Sequence, residues 1–152
     1  MTLTCVLAFP CGAQELGGIS RTIKTPQDVV RWFSSEFEYQ MKIPDKPQTP
    51  EETLVLKTGD CDDFASLAAA VLSLNGIKSE VIIIKHRGLN IMHAICVYKD
   101  KDGVYGFISN NELQHTGELD LTCAVAKFYP SWEKIMVANE KRDYMETIAT
   151  AS

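Results

Sequence analysis

The sequence lacks the features that mark several common classes of protein. It holds 15 Lys and Arg residues against 20 Asp and Glu residues, which gives a net charge of -5 at pH 7. Proteins that bind nucleic-acid backbones carry a surplus of basic residues, and this chain has none. No apolar run approaches the roughly 20 residues that span a bilayer. We therefore expect neither a nucleic-acid partner nor an integral membrane segment.

The cysteine spacing gives no support to a zinc site. The five cysteines, at positions 5, 11, 61, 96 and 123, include no C-x-x-C pair and have no closely spaced histidines. Because the count is odd, at least one thiol is free unless it joins another chain. Cys96 and Cys123 are predicted to be small buried hydrophobic residues.

One acidic cluster has the charge density of a calcium or magnesium loop. Asp60, Asp62 and Asp63 are close together, but the Gly and the distal Glu of an EF-hand are missing. Carboxylates also stabilise the positive end of a helix, which is a sufficient reason for the cluster. The sequence therefore predicts no metal and no cofactor.

What is present is the composition of one globular domain of ordinary size, with 45% hydrophobic and 23% charged residues in 152. We expect a single domain over residues 25–140, an N-terminal segment over 1–24 and a polar tail over 141–152. The apolar run 3–9 is followed by small residues, as in a secretory signal, but no basic residue precedes it. A strand or anchor packed on the domain is the alternative. Localisation is periplasmic or secreted if the segment is a signal, and cytoplasmic otherwise.

Helix-start signals recur in the first half of the chain. Thr25-Pro26 predicts a helix that continues to about Tyr39, and Thr49-Pro50 predicts a short helix ended by Gly59. The intervening stretch, 43–50, contains three prolines and is predicted to be a loop. Asp60 then caps a helix that Asn75-Gly76 ends.

The second half of the chain is dominated by β-branched runs. Strands are predicted over 81–84, 93–98, 104–109 and 133–138, with a turn at 99–103 and a helix over 121–128. Helices come first and strands later. The order predicts an α+β fold in which N-terminal helices pack on an antiparallel sheet.

Cys61 is the cysteine best placed for nucleophilic catalysis. It lies in the first turn of the helix capped by Asp60, where unpaired backbone N–H groups favour a thiolate. The carboxylates around it, including that of Asp62, oppose this effect by raising the thiol pKa.

The chain offers three histidines as a proton-transfer partner. His86 ends a strand and His115 lies in a polar loop, whereas His93 begins an apolar strand where partial burial can tune its pKa. We therefore select His93. Asn110, at the end of the next strand, is the candidate for orienting the imidazole, and Ser109 and Asn111 stay open because a one-residue register slip exchanges the faces of a strand.

Together these residues resemble the transglutaminase-like core, a branch of the papain-like cysteine enzymes. The resemblance rests on G-D-C-D-D-F-A at 59–65, N-G-I at 75–77, His93-Ala94 and S-N-N at 109–111, and it covers roughly residues 25–112. It implies a papain-like α+β fold with Cys61 as nucleophile and His93 as general acid and base. The third member is usually Asp in this family, so here the orienting group is neutral.

The resemblance implies acyl transfer on peptide or protein amides through a thioester, with hydrolysis expected ahead of transfer to an amine. The Cys61 backbone N–H is the expected oxyanion donor, and Tyr39 or Gln40 is a candidate for the second donor. The alternative is a binding module of the same fold with little or no turnover, whose acidic collar recognises a basic segment. Oligomeric state has no signature in the sequence.

Overall fold

The computed structural model describes residues 11–44, 46–138 and 145–151. Its helices are α1 (Cys11–Ile19), α2 (Pro26–Glu36), α3 (Pro50–Leu56), α4 (Cys61–Leu74) and α5 (Leu121–Phe128). Its strands are β1 (Glu38–Tyr39), β2 (Thr58–Gly59), β3 (Ser79–His86), β4 (Met92–Lys99), β5 (Tyr105–Ser109), β6 (Glu112–His115), β7 (Trp132–Ala138) and β8 (Met145–Thr150). The run 3–9, with its interpretation as a signal or an anchor, lies outside the described residues.

Two helices begin as the capping signals predict. The Thr25 hydroxyl accepts the Asp28 N–H at 3.1 Å, and the Asp28 carboxylate accepts the Thr25 N–H at 3.1 Å. The same reciprocal pair joins Thr49 and Glu52. These bonds satisfy backbone donors that the first turn of a helix leaves without acceptors, which is why α2 and α3 start at their prolines.

The two predicted helix ends differ from the structure. α2 ends at Glu36 and not near Tyr39, because the next residues form β1 and pair in parallel with β2. α3 ends at Leu56, before Gly59, because Lys57 takes the left-handed conformation, with φ of 56°. The short ladder is continued by the Gln40 N–H, which donates to the Gly59 carbonyl.

A six-stranded sheet in the order β6-β5-β4-β3-β7-β8 forms the centre of the fold, and every neighbouring pair is antiparallel. This confirms the predicted α+β class. The turn between β4 and β5 lies where it was predicted, and Gly103 there has a φ of 80°. No helix among the described residues is long and apolar enough to cross a membrane.

Side chains that alternate along the central strands fill two apolar clusters. On one face, Ile83 and Cys96 pack in the cluster of helices α1 to α4. On the other face, Ile82 and Ile95 pack against Val125 of α5. The sheet is thus the middle layer, and α5 covers the face that the N-terminal helices leave open.

Three local predictions are corrected by this packing. His115 was predicted to lie in a polar loop, but it is the last residue of β6 (Glu112–His115), which pairs with β5. Residues 141–152 were expected to be a tail, but Met145–Thr150 pairs with β7 as β8. Cys96 is fully buried as expected, whereas Cys123 is exposed because α5 turns Ala124 and Val125 toward the sheet.

Candidate active site

Cys61 is the first residue of α4 and is half-buried. The backbone N–H of Ala94, the residue that follows His93 on β4, favours the thiolate and opposes the rise in the Cys61 pKa that burial causes. The Cys61 backbone N–H, at the first helical position, has no acceptor within the helix. The start of α4 and the start of β4 therefore meet at the thiol.

Cys61 and His93 line one cleft with a volume of about 1400 Å³. The start of α4, strands β3 and β4, and the segment 39–50 supply its walls. His86 lines the same cleft, with its Nδ1 2.9 Å from the Ser131 hydroxyl. His115 is exposed and lines a separate, smaller cleft. Of the three histidines, two thus line the same cleft as the thiol.

The protonation of both groups is shifted by burial. Burial raises the pKa of the Cys61 thiol, the Asp60 and Asp62 carboxylates add to this rise, and the backbone N–H groups of Ala94 and Asp62 oppose it. Burial lowers the pKa of His93, and the nearby His86 lowers it further. The resting site at neutral pH is therefore a thiol beside a neutral imidazole.

Ser109 contacts the imidazole, with its Oγ 2.8 Å from Nε2 of His93. Register explains this contact: Cys96 lies opposite Ile108, so Ser109 continues the ladder opposite Ile95, on the same face of the sheet as His93. Ser109 is the last residue of β5, so strand alternation places its side chain and does not fix that of the residue after it.

Asn110 leaves the strand at this point. Its backbone is left-handed, with φ of 54°, and its buried Oδ1 has no hydrogen-bond partner in the part of the chain that the structure describes. Asn111 is exposed. Asn110 as the orienting residue stays a prediction, while Ser109 makes the observed contact with His93.

Tyr129 packs on the imidazole of His93, and Gln114 hydrogen-bonds Tyr129. No sequence motif indicates either residue. The ring of Tyr129 lies 5.9 Å from that of His93, and its hydroxyl donates to Oε1 of Gln114 at 3.3 Å. Burial raises the pKa of the Tyr129 phenol, and the Ser109 and Gln114 side chains oppose that rise. Tyr129 follows α5 and Gln114 belongs to β6, so no sequence spacing relates either one to Cys61.

The acidic cluster beside Cys61 is organised by Asp63, which is fully buried. One carboxylate oxygen accepts the Gln48 N–H at 2.7 Å. The other accepts from Lys42 Nζ at 2.6 Å, from Gln48 Nε2 at 2.7 Å and from the Asp60 N–H at 3.2 Å. These bonds tie the cleft-wall segment to the first turn of α4. They also lower the pKa of Asp63 although burial alone raises it.

Asp63 is bonded to protein donors and does not offer a free carboxylate to a divalent cation. Among the described residues, Asp60, Asp62 and Asp63 could bring one ligand oxygen each to within 4.8 Å of one another. Calcium requires six to eight oxygen ligands. The two oxygens of Asp63 together accept four donors, one of them the Lys42 ammonium.

The two candidates for a second oxyanion donor differ in whether they line the cleft. Tyr39 lines the cleft, and burial together with the charges of Cys61 and Asp60 raises the pKa of its phenol. Its hydroxyl therefore stays protonated as a donor. Gln40 is exposed and its backbone N–H is bonded within the small sheet. The geometry favours Tyr39 over Gln40.

A cysteine at a helix start and a histidine at the start of an adjoining strand, open to one cleft, are the arrangement of papain-like cysteine enzymes. The chain matches, over residues 13–111, a family model described as a transglutaminase-like domain. It belongs to the transglutaminase-like family. No protein of curated function matches the sequence.

Solved structures share the fold at low sequence identity. Calcium-bound LapG of Legionella pneumophila is 15% identical, with a TM-score of 0.61 over 93% of this chain and 81% of that protein. A Cytophaga hutchinsonii protein described as "a Putative Cysteine Protease" is 16% identical, with a TM-score of 0.54 over 95% of this chain and 55% of that protein. At these identities the likeness establishes the fold alone.

Proposed function

We propose that this protein is a cysteine-dependent hydrolase of peptide or protein amides. The observation that carries the proposal is that Cys61 and His93 line one cleft, where the Ala94 N–H next to His93 favours the thiolate of Cys61. Membership of the transglutaminase-like family supports acyl-transfer chemistry, and a similar structure described as a cysteine protease supports an amide bond as the target.

The reaction runs in two steps. His93 takes the proton from the Cys61 thiol as the sulfur attacks the amide carbonyl carbon, and it then passes this proton to the leaving amine as the carbon–nitrogen bond breaks. Water attacks the thioester carbon as His93 takes one proton from it. The carbon–sulfur bond then breaks, the carboxylic acid leaves, and His93 returns the proton to the Cys61 sulfur. The Cys61 N–H and the Tyr39 hydroxyl donate hydrogen bonds to the developing oxyanion.

The residue that orients the His93 imidazole is neutral. The sequence predicts Asn110, and the 2.8 Å contact of Ser109 with His93 supports Ser109 instead. A neutral hydroxyl fixes the imidazole tautomer but stabilises imidazolium less than a carboxylate does. This agrees with the lowered pKa of His93.

The cleft suits an extended peptide with apolar side chains. Met41, Ile91 and Met92 line it, and each is at least half exposed. Apolar groups at the rim of an open cleft bind a partner that covers them. The substrate is therefore a segment that places large apolar residues on either side of the reacting amide.

The test uses unfolded casein, a protein with many accessible amides, and measures the appearance of new amino termini together with incorporation of dansylcadaverine. The wild-type protein is expected to generate amino termini, and Cys61→Ala is expected to generate none. Amine incorporation without chain cleavage would replace hydrolysis by transamidation.

Cys123→Ala is the matched control, because Cys123 is an exposed free thiol that does not line the cleft. It is expected to leave both products unchanged. If Cys61→Ala and wild type give equal product, the enzymatic proposal is wrong.

The second candidate function is a binding module. It is favoured by the pKa shifts at the site, which disfavour the ion pair that activates many cysteine enzymes. In that case Cys61→Ala binds an apolar peptide as tightly as the wild type does, and neither form turns it over.

A further inference from the structure

The wall of the cleft that carries Tyr39 and Met41 is joined to α4 by one carboxylate, which holds two separate points of the wall. Lys42, which follows Met41, places its Nζ 2.6 Å from Oδ2 of Asp63. Gln48, two residues before α3, donates its backbone N–H to Oδ1 of the same carboxylate at 2.7 Å. The segment between these two residues is therefore closed onto the first turn of α4.

The Asp63 carboxylate needs a positively charged partner because it is almost completely buried. Its side chain is 1% exposed, and buried charges in proteins are paired or coordinate metals. Three of its four hydrogen-bond donors are neutral: the backbone N–H and the side-chain amide of Gln48, and the backbone N–H of Asp60. Lys42 is the one charged donor of these four.

Two more carboxylates lie beside that of Asp63. Asp60, Asp62 and Asp63 can each bring one oxygen to within 4.8 Å of the others. Carboxylates at this separation repel one another, and a nearby positive charge offsets the repulsion. A bound cation or a basic side chain can supply that charge, and at Asp63 the Lys42 ammonium supplies it through a charge-assisted hydrogen bond.

We propose that Lys42 is a positioning residue whose ammonium takes the place of a bound divalent cation at Asp63 and thereby holds the cleft wall in the position that the reaction needs. Lys42 itself does not line the cleft, so it acts through Tyr39 and Met41, which do. The inference rests on the proposed function for its effect on the rate. The position of the wall can be measured whether or not the protein is an enzyme.

Amide hydrogen exchange, followed by mass spectrometry, reports on the wall independently of activity. Lys42→Met removes the charge and keeps most of the side-chain length. The peptide that spans residues 40–48 is then expected to exchange about tenfold faster, because a hydrogen bond to a charged group is lost. At exchange times shorter than global unfolding, peptides from β4 are expected to stay protected, because that strand is paired on both sides.

On casein, Lys42→Met is expected to lower kcat/KM by on the order of 10²-fold, the cost of misplacing catalytic groups by about 1 Å. The fall is expected in kcat because Tyr39 shifts, and in KM because Met41 shifts. Lys42→Arg keeps the charge and is expected to recover most of the protection and most of the rate.

Lys46→Met is the matched control. It removes the same charge from the same segment, at an exposed position that does not line the cleft. Both the exchange of residues 40–48 and the rate on casein are expected to stay as in the wild type.

Treatment of the wild type with EDTA, followed by CaCl2 or MgCl2, separates the lysine from a metal ion. Neither step is expected to change exchange or rate. Faster exchange in EDTA that either salt reverses would overturn the inference, and so would wild-type exchange in Lys42→Met or equal losses in Lys42→Met and Lys42→Arg.

The remaining outcomes separate this inference from the proposed function. Faster exchange in Lys42→Met with an unchanged kcat/KM would overturn the positioning role. Faster exchange in Lys42→Met, together with a wild type that cleaves no casein, would support Lys42 as the residue that holds the wall and reject the proposed hydrolase.

Discussion

At the scale of single residues, the site pairs a thiol that resists ionisation with an imidazole that resists protonation. Burial shifts both in these directions, and the carboxylates of Asp60 and Asp62 reinforce the shift at Cys61. In the proposed reaction, the thiolate is consequently formed during attack, when His93 takes the proton, and is not stored in the resting protein.

Alkylation of the cysteines by iodoacetamide, mapped by mass spectrometry from pH 5 to 10, tests this resting state. Because its pKa is raised, Cys61 is expected to reach half its maximal rate above the ordinary cysteine value of about 8.5. A Cys61 profile with its midpoint below pH 7 would show a preformed ion pair. Cys96, which is fully buried, is the internal reference and should stay unreactive.

The pH dependence of kcat/KM on casein reports the protonation of His93. The base form is neutral, and the pKa of His93 is lowered by burial and by His86, so activity should persist as pH falls below about 6.5. His86→Gln removes the nearby charge and is expected to move the acid limb to higher pH. An acid limb that stays in place in this variant would contradict the assignment.

At the scale of elements, the start of α4 is held by the buried carboxylate of Asp63. It bonds Lys42 and Gln48 on the cleft wall and the backbone of Asp60 at the helix cap. Gly59 packs directly on it, since a Cβ there would lie 2.7 Å from the Cβ of Asp63. One side chain thus joins the wall of the cleft to the helix that begins at Cys61.

Asp63→Asn is expected to destabilise the protein by about 3 kcal/mol, because it leaves the Lys42 ammonium without its buried partner. Thermal or denaturant unfolding measures this loss. Asp28→Asn is the control, since Asp28 occupies the corresponding capping position of α2 at the surface, where the loss is about 1 kcal/mol.

The same carboxylate gives stability a pH dependence. Its pKa is lower in the folded protein than in the unfolded chain, so its contribution is complete above about pH 4 and is lost as pH falls through the folded value. Asp63→Asn should flatten this acid decline. Equal declines in the variant and the wild type would exclude Asp63 as its source.

At the scale of the whole molecule, the sheet is buried between two helical layers and extends to β8 at one edge. Strand β8 pairs with β7, and Ala149 packs against the cluster under α5. The last strand therefore belongs to the folded unit, although its side chains are mostly exposed.

Deleting residues 145–152 is expected to cost about 2 kcal/mol, because ladder hydrogen bonds and apolar contacts on β7 are lost. For a chain of this length, that corresponds to a fall in Tm of roughly 4–8 °C. Ile148→Ser, a change at an exposed position of β8, is the control and should leave Tm nearly unchanged. An unchanged Tm after the deletion would mean that β8 adds nothing to the fold.

The sequence alone determined the features that depend on neighbours in the chain. Capping pairs such as Thr25 with Asp28, the turn at 99–103 and the position of Cys61 at a helix start all follow from local hydrogen bonding and backbone preference. The α+β class follows from the order of these elements.

Only the tertiary structure decided which residues meet across strands and layers. Whether Ser109 or Asn110 faces His93 depends on a register of one residue, and a pattern of apolar positions does not specify register at the polar end of a strand. The contacts of Tyr129 with His93 and of Lys42 with Asp63 join segments far apart in the chain. They exist because burial requires each polar group to find a partner wherever the fold supplies one.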